Sequence, residues 1–164
     1  HLREISLIGS DITNAMFCSL VHSCPLLEVV QLDNCYALTD VSVVELVQHA
    51  KHLTSLYLSD NMNVTDTALE AVAVHCGERL RHLCLHHYHA MTTAGLQHIT
   101  EHCHHLEGLE IILFRNEHIT IPSIEALLQN NPLLQEVSIS CQEDSDALMA
   151  TITNSCPQLR YLDI

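Results

Sequence analysis

The sequence predicts a right-handed α/β solenoid with a parallel sheet on its concave side and helices on its convex side. Three observations predict this fold. An aliphatic motif recurs seven times along the chain at almost constant spacing. Each copy alternates apolar and other residues, as a half-buried strand does. Segments with helical apolar spacing separate the copies, so that each repeat contains one strand and one helix.

The recurring motif is L-x-x-L-x-L, with Ile or Val allowed after the first Leu. It occurs at Leu2-Ile5-Leu7, Leu27-Val30-Leu32, Leu53-Leu56-Leu58, Leu80-Leu83-Leu85, Leu106-Leu109-Ile111, Leu134-Val137-Ile139 and Leu159-Leu162-Ile164. The first residues of successive copies are 25, 26, 27, 26, 28 and 25 residues apart. Such regular spacing indicates structural repeats, each of which buries its apolar face against its neighbours.

Each copy of the motif predicts a short strand, because apolar residues at every second position share one face. A turn follows, and in two repeats it carries Thr39-Asp40 and Thr65-Asp66. Their side-chain oxygens can cap a first helical turn, so both pairs predict helix starts. The apolar residues that predict the helices are Val43, Leu46 and Val47; Leu69, Val72 and Ala73; Leu96 and Ile99; and Ile124, Leu127 and Leu128.

The predicted helices end near a cysteine-proline pair or a related dipeptide, after which the chain returns to the next strand. These pairs are Cys24-Pro25, Cys76-Gly77, Cys103-His104, Asn131-Pro132 and Cys156-Pro157. A second column lies eight residues after each first Leu, at Ser10, Cys35, Asn61, Tyr88, Phe114 and Gln142. No C-x-x-C motif occurs among the eight cysteines. Cysteines at repeat positions therefore predict small buried thiols in a reducing compartment.

The quoted residues resemble the cysteine-containing leucine-rich repeats that are typical of F-box leucine-rich-repeat proteins. The segment CPLLEVVQLDNCYALTDVSVVEL, residues 24–46, matches the consensus C-P-x-L-x-x-L-x-L-x-x-C-x-x-L-T-D-x-x-L-x-x-L almost position for position. Residues 52–72 match with Asn61 in the cysteine position, whereas residues 79–99 carry Tyr88 for Cys and Thr93 for Asp. The resemblance implies a horseshoe like that of ribonuclease inhibitor.

The resemblance also implies a function in protein recognition. In F-box leucine-rich-repeat proteins an F-box binds the adaptor of a cullin ubiquitin ligase, and the horseshoe captures the substrate. No F-box is visible in residues 1–164, so contact with the adaptor requires one outside this segment. The alternative is a ligase-independent scaffold or an inhibitor-like binding protein. We expect residues 1–164 to be one domain of about six repeats plus a terminal strand, taken from a longer array.

The net charge of the chain limits the classes of partner that we expect it to bind. Twenty Asp and Glu stand against six Lys and Arg, giving a formal net charge of −14. Nucleic acids and anionic membranes attract basic patches, so we expect neither as a partner. A protein partner with basic residues fits this charge better. No apolar run approaches the length of a membrane span and nothing resembles a signal peptide, so we expect an intracellular protein, cytoplasmic or nuclear.

The candidate binding surface is the outward face of the predicted strands. Residues two, four and six positions after each first Leu lie on that face. The candidates are Gln31, Asp33, Ser55, Tyr57, Ser59, His82, Cys84, His86 and Glu110. Tyr57 offers a large apolar ring with a polar tip, which is a common anchor in protein interfaces. A solvated sheet face without a ligand is one alternative, and an acidic helical face with Glu45, Glu70, Glu101 and Glu125 is another.

Histidines and a cysteine cluster around the fourth motif. His82, Cys84 and His86 share one face of a predicted strand, and His87 and His89 follow it. Alternate residues of a strand lie roughly 6.5–7 Å apart, whereas zinc ligands lie about 2.0–2.3 Å from the ion. The first three side chains are therefore not expected to converge on one metal ion. A histidine-rich contact, a pH-sensitive patch and plain exposed histidines stay open as interpretations.

Catalytic motifs are absent from the sequence. It contains no G-x-S-x-G, no H-E-x-x-H and no phosphate-binding glycine loop, and only four of its 164 residues are glycine. We therefore expect no enzymatic activity, no catalytic residue, no cofactor and no bound metal. A metal-dependent enzyme built around residues 82–89 is the remaining alternative, and stoichiometric bound zinc would support it.

Overall fold

Strands and helices alternate strictly along the chain. The structure, a computed structural model, describes residues 1–86, 90–112, 118–140 and 146–164. Within these ranges the strands are β1 (Glu4–Ser6), β2 (Val29–Gln31), β3 (Ser55–Tyr57), β4 (His82–His86), β5 (Gly108–Ile112), β6 (Glu136–Ser140) and β7 (Tyr161–Asp163). The helices are α1 (Asn14–Ser23), α2 (Asp40–His49), α3 (Asp66–Cys76), α4 (Thr93–His102), α5 (Ile121–Gln129) and α6 (Asp146–Ser155).

The described strands form one parallel sheet in chain order, from β1 to β7. The register places equal repeat positions side by side, so that Leu56 lies between Val30 and Leu83. Each helix likewise packs against the helices of the adjacent repeats. This order confirms the predicted alternation of strands and helices around a single parallel sheet, in which each repeat contacts its neighbours.

The aliphatic motif residues fill the layer between the sheet and the helices. Leu32, Leu58 and Leu85 are almost fully buried, as the alternating pattern predicts. Motif residues of the first and last repeat strands are more exposed: Leu2, just before β1, is 45% exposed and Leu162, on β7, is 37% exposed. Those two strands have a neighbour on one side only. Alternation therefore predicts the direction of a side chain, whereas the number of neighbouring repeats decides how deeply it is buried.

The chain leaves each of the first three strands through a left-handed backbone conformation. Gly9, Asn34 and Asp60 have φ angles of 68°, 59° and 60°, and they occupy the same repeat position. Glycine adopts this region freely, and Asn and Asp tolerate it better than other residues. These residue types therefore allow the same sharp turn in consecutive repeats.

The Thr-Asp pairs act in two different repeats. Thr39 and Thr65 are the N-caps of α2 and α3, as predicted, and the Thr39 hydroxyl accepts a hydrogen bond from the Val41 amide at 3.4 Å. The aspartate does not share this capping task. Asp40 accepts hydrogen bonds from the Thr65 amide at 2.7 Å and the Thr65 hydroxyl at 2.8 Å. One repeat thus orients the threonine cap of the next.

Asp66 repeats this contact one unit further along. Its carboxylate accepts from the Thr92 amide at 2.8 Å and the Thr92 hydroxyl at 2.6 Å. Gly95 makes room for it, because a Cβ atom at that position would overlap the Asp66 carboxylate. In the first repeat Asn14 replaces the aspartate, accepting from the Thr39 amide and donating to its hydroxyl, both at 3.0 Å. The polar side chain that follows each of these threonine caps therefore links its own helix to the start of the next one.

We expect Asp66→Ala to lower the free energy of unfolding by about 2–3 kcal/mol, because two hydrogen bonds to a charged acceptor are lost. Asp66→Asn should cost less, since Asn14 makes the equivalent contacts in the first repeat. Urea denaturation of both variants measures the difference. An alanine variant as stable as the wild type would show that this contact does not couple the repeats.

The column eight residues after the first Leu also binds the preceding repeat. The Cys35 thiol donates to the Leu7 carbonyl at 3.0 Å. In the next repeat the Asn61 amide group donates to the carbonyls of Leu32 at 2.9 Å and Leu58 at 2.6 Å. The column is thus a polar ladder as well as a packing position. Its other predicted members Tyr88, Phe114 and Gln142 lie outside the described residues.

The described cysteines are free thiols, and several of them are buried in the core. Cys103 is fully buried just after α4, in the column predicted to end the helices. This placement agrees with the predicted use of cysteine as a small buried residue. Among the described helices none is long and apolar enough to cross a membrane.

Candidate functional site

The nine candidate residues lie on strands β2 to β5 and the turns that follow β2 and β3. Strand register brings them into rows that cross the sheet. One row is Gln31, Tyr57, Cys84 and Glu110. The neighbouring row begins at Val29 and continues through Ser55, His82 and Gly108. The parallel sheet therefore assembles residues that are about one repeat apart in sequence.

The candidates differ in their exposure. Gln31, Asp33, Tyr57, His82, His86 and Glu110 are partly exposed, and Ser55, Ser59 and Cys84 are buried. The small buried side chains form the base of this surface, between the larger and more exposed side chains. We therefore expect direct contacts with a partner from the exposed members, with the buried members supporting them.

His82 is held across the sheet by both neighbouring strands. Its Nδ1 atom lies 3.3 Å from the Ser55 hydroxyl on β3. Its ring also covers Gly108 on β5, where an added Cβ atom would overlap the ring. The absence of a side chain at Gly108 therefore creates the space that His82 occupies.

Tyr57 lies in an acidic environment. Burial raises the pKa of its phenol, and the negative charge of Glu110 raises it further, with smaller contributions from Glu136 and Asp33. The phenol consequently stays protonated at neutral pH and can donate a hydrogen bond. Tyr57 therefore offers a partner an aromatic ring and a hydrogen-bond donor, close to several negatively charged side chains.

The charge of the whole sheet face is negative. Its described positions include five acidic side chains and no lysine or arginine. The acidic residues are Glu4, Asp33, Glu110, Glu136 and Asp163. A surface of this kind attracts basic partners and repels acidic ones.

Cys84, His86 and Glu110 bring their polar atoms into mutual contact. Cys84 Sγ lies 3.4 Å from His86 Nε2 and 3.6 Å from Glu110 Oε2. His86 Nε2 lies 3.2 Å from the same Glu110 oxygen. His82 is not part of this cluster, in agreement with the expectation that His82, Cys84 and His86 do not all converge.

Glu110, the third member of the cluster, was not predicted from the sequence to join Cys84 and His86. Backbone spacing limits the distance between Cα atoms of Cys84 and His86, but the long imidazole brings its Nε2 atom back to the sulfur. The signal for Glu110 was present, since it occupies the same repeat position as Cys84 and pairs with it in the sheet. His87 and His89 of the same stretch lie outside the described residues.

The thiol of Cys84 is poorly suited to nucleophilic catalysis. Burial raises its pKa to about 12, which keeps it protonated at neutral pH. The residue is 5% exposed, and the thiolate rather than the thiol attacks a substrate. The cysteine, histidine and glutamate thus lack the activated nucleophile of a catalytic triad. The expectation of a protein without enzymatic activity stays a prediction.

A shallow depression of about 30 Å³ lies beside this cluster, lined in part by Tyr57, His82, Cys84, Glu110 and Glu136. Organic ligands usually occupy cavities of about 300–1,000 Å³. This depression has room for a water molecule, an ion or the tip of one side chain. The face therefore suits contact with a protein surface.

The alternative acidic helical face is partly occupied by internal contacts. Glu45 lies 3.1 Å from His22 and 3.4 Å from His49. Glu125 accepts a hydrogen bond from Thr151 at 3.0 Å. Glu70 and Glu101 are exposed. This face is therefore divided between contacts that join helices and charges that meet solvent.

Strands of one parallel sheet that alternate with helices along the chain define a leucine-rich-repeat-like fold. Comparison with solved structures supports that class. The chain is similar to a chain in the crystal structure of the Rad7 and Elc1 complex of yeast, with a TM-score of 0.86 and 20% sequence identity. The match covers 99% of this chain and 42% of that one, so the chain spans less than half of its length.

A second solved structure, the leiomodin-1 actin-binding site 2, is similar with a TM-score of 0.66 and 18% identity. The match covers 87% of this chain and 86% of the leiomodin-1 chain. No protein-family model matches the sequence. At these identities the similarities establish a shared fold.

Proposed function

We propose that this chain is a protein-interaction module whose acidic sheet face binds a basic segment of a protein partner. The main observation that supports this proposal is the row of Gln31, Tyr57, Cys84 and Glu110. Strand register assembles this row over a buried aliphatic core. The rigid floor keeps these side chains in place, so little ordering is required on binding. The proposal includes an intracellular location and no catalytic activity.

We propose further that the coil is right-handed and that this sheet face is concave. Connections between parallel strands of one sheet are right-handed in about 98% of cases. Paired strands lie about 4.8 Å apart, whereas packed helices lie about 8–10 Å apart. One strand and one helix per repeat therefore bend the stack toward the strands. A concave acidic face can surround a basic peptide or loop from several repeats.

The more specific role is substrate recognition for a cullin-type ubiquitin ligase. It rests on the cysteine-containing repeat of residues 24–46, which resembles that of F-box leucine-rich-repeat proteins. The similarity to a chain of the Rad7 and Elc1 complex supports a repeat fold that occurs in protein assemblies. Binding of a ligase adaptor requires an F-box outside residues 1–164, and the adaptor would then bind away from the sheet face.

The second candidate is a ligase-independent binding module. The leiomodin-1 segment has the same kind of fold over most of its length and is named as an actin-binding site. Copurification of a cullin-ligase adaptor with the natural full-length protein distinguishes the two candidates. Stoichiometric adaptor supports the ligase role, and its absence with a retained partner favours the independent module.

We expect Tyr57→Ala to weaken binding of the partner about 30-fold or more without unfolding the chain, because buried interface tyrosines often contribute 2 kcal/mol or more. Quantitative copurification with the full-length protein measures the loss. Tyr36→Ala is the matched control, since Tyr36 is an exposed tyrosine in a turn outside the predicted rows. Thermal unfolding of both variants checks their fold.

The same experiment tests the choice of surface. A partner that binds the Tyr57→Ala variant normally but is lost with Glu70→Ala would place the interface on the helices. A partner retained by Tyr36→Ala and lost with Tyr57→Ala supports the sheet face.

A further inference from the structure

The cluster of Cys84, His86 and Glu110 has the dimensions of a tetrahedral metal site. Zinc ligands at about 2.0–2.3 Å from the ion lie about 3.3–3.6 Å from one another in a tetrahedron. The three separations in the cluster are 3.4, 3.6 and 3.2 Å. Two of the three separations lie inside this range and the third lies about 0.1 Å below it. The atoms therefore already form one face of the required polyhedron.

The chemical types of the three atoms also favour zinc. Thiolate sulfur, imidazole nitrogen and carboxylate oxygen are the protein ligands that zinc uses, and sulfur disfavours magnesium and calcium. Cys84 and His86 are two residues apart on β4, and Glu110 is paired with Cys84 across to β5. Strands rather than loops thus hold all three ligands, which preorganises the site.

A supporting contact lies behind the sulfur. The Ser59 hydroxyl is 3.3 Å from Cys84 Sγ, and Ser59 is itself buried. A hydroxyl in this position can donate a hydrogen bond to a thiolate that binds a metal, as outer-shell partners commonly do. The nearby carboxylates of Asp33 and Glu136 add negative potential at the same part of the sheet. Both features favour a bound cation.

Within the part of the chain that the structure describes, the cluster is open on one side. The Cys84 residue is 5% exposed, whereas the side chains of His86 and Glu110 are 21% and 47% exposed. An ion can therefore enter from the sheet face while the sulfur stays on the buried side. The open side leaves a fourth coordination position for water.

We propose that Cys84 Sγ, His86 Nε2 and Glu110 Oε2 bind one Zn²⁺ ion, with the fourth position open to the sheet face. In the metal-free protein the Cys84 thiol donates to the Glu110 carboxylate. On binding, the thiol proton passes to solvent and the sulfur, the imidazole and the carboxylate each donate an electron pair to the ion. The site goes beyond the proposed function, because it requires no partner protein.

A second group of metal-ligand types exists on the helices and must be distinguished. His22, Glu45 and His49 also approach one another, but this group contains no sulfur. A measurement that detects metal–sulfur bonding therefore distinguishes the sheet site from this group. Cobalt(II) is a suitable probe, since it replaces zinc in tetrahedral sites and absorbs light in a way that reports a thiolate ligand.

The test is titration of the 164-residue chain with Co²⁺ under a non-thiol reductant. We expect a sulfur-to-cobalt charge-transfer band that saturates at one equivalent and is abolished by added Zn²⁺. Cys84→Ala should lose the band, and Cys103→Ala, a control at another buried cysteine, should keep it. His82→Gln, on the same strand but outside the cluster, should also keep it.

Three further variants keep the test decisive if Cys84→Ala fails to fold. His86→Gln and Glu110→Gln alter partly exposed side chains, and each should weaken Co²⁺ binding at least about 10-fold. Ser59→Ala should weaken it about 10–100-fold as the loss of an outer-shell contact. A band that survives Cys84→Ala, wild-type affinity in both glutamine variants, or no band at saturating Co²⁺ would overturn the proposal.

Discussion

We expect Leu56→Asp to be largely unfolded at 25 °C. Leu56 lies on β3 in the middle of the sheet, is fully buried and pairs with Val30 and Leu83. The variant loses the burial of a leucine side chain, worth about 2–5 kcal/mol, and must place a carboxyl group in an apolar layer. Together these costs are comparable to the whole stability of a typical domain, about 5–15 kcal/mol.

Far-ultraviolet circular dichroism and urea titration measure this effect. Met62→Asp is the matched control, because it adds the same charge at an exposed position in the turn after β3. Leu56→Ala should give an intermediate loss of about 3 kcal/mol from the cavity it creates. If Leu56→Asp unfolds at the same urea concentration as Met62→Asp, the assignment of the inward face is incorrect.

The repeat architecture also determines how much of the chain loses its structure in the Leu56→Asp variant. Each repeat is stabilised mainly by its two neighbours, so a repeat that loses its core withdraws support from both. Leu56 belongs to the third repeat strand, and strands β2 and β4 both pair with it. We therefore expect a cooperative loss of structure beyond the mutated repeat.

The direction of core side chains could be predicted from the sequence because it depends on local periodicity alone. Leu32, Leu58 and Leu85 follow from alternation within six residues, and all three are buried as predicted. The starts of α2 and α3 follow from the chemistry of a threonine cap, which is also local. The pattern repeats, so one unit predicts the architecture of the next.

Contacts between repeats were harder to predict because they depend on the register and on side-chain reach. Asp40 looks like a member of its own helix cap, yet it binds Thr65 in the next repeat. Cys84, His86 and Glu110 form a cluster only because β4 and β5 pair with equal repeat positions side by side. Equivalent repeat positions in the sequence predict which residues are neighbours across the sheet. The side-chain torsion angles then decide which of their atoms come into contact.

Burial of the candidate residues was also beyond the sequence pattern. Ser59 and Cys84 belong to the outward-facing columns but are buried, each with 5% exposure. Cys84 is contacted by the Ser59 hydroxyl, the His86 ring and the Glu110 carboxylate. A small side chain in a row of large ones can therefore be buried even when it points away from the core.

The second large effect is expected at the polar ladder, where Asn61→Leu should lower the free energy of unfolding by about 3–5 kcal/mol. The Asn61 side chain is buried and donates to the carbonyls of Leu32 and Leu58. Its oxygen accepts from the Cys35 amide at 2.9 Å. Leucine has a similar size but removes all three of these hydrogen bonds, each worth about 1–1.5 kcal/mol.

Two other variants separate hydrogen bonding from packing at this position. Asn61→Cys should recover part of the loss, because Cys35 occupies the same column and its thiol donates to the Leu7 carbonyl. Asn63→Leu is the control, since Asn63 is exposed and its donation to the Tyr36 carbonyl at 3.0 Å can be replaced by water. Urea denaturation should therefore rank the variants as Asn63→Leu, Asn61→Cys and Asn61→Leu in order of increasing destabilisation. Equal stability of Asn61→Leu and the wild type would mean that packing alone fixes this turn and that the ladder does not join the repeats.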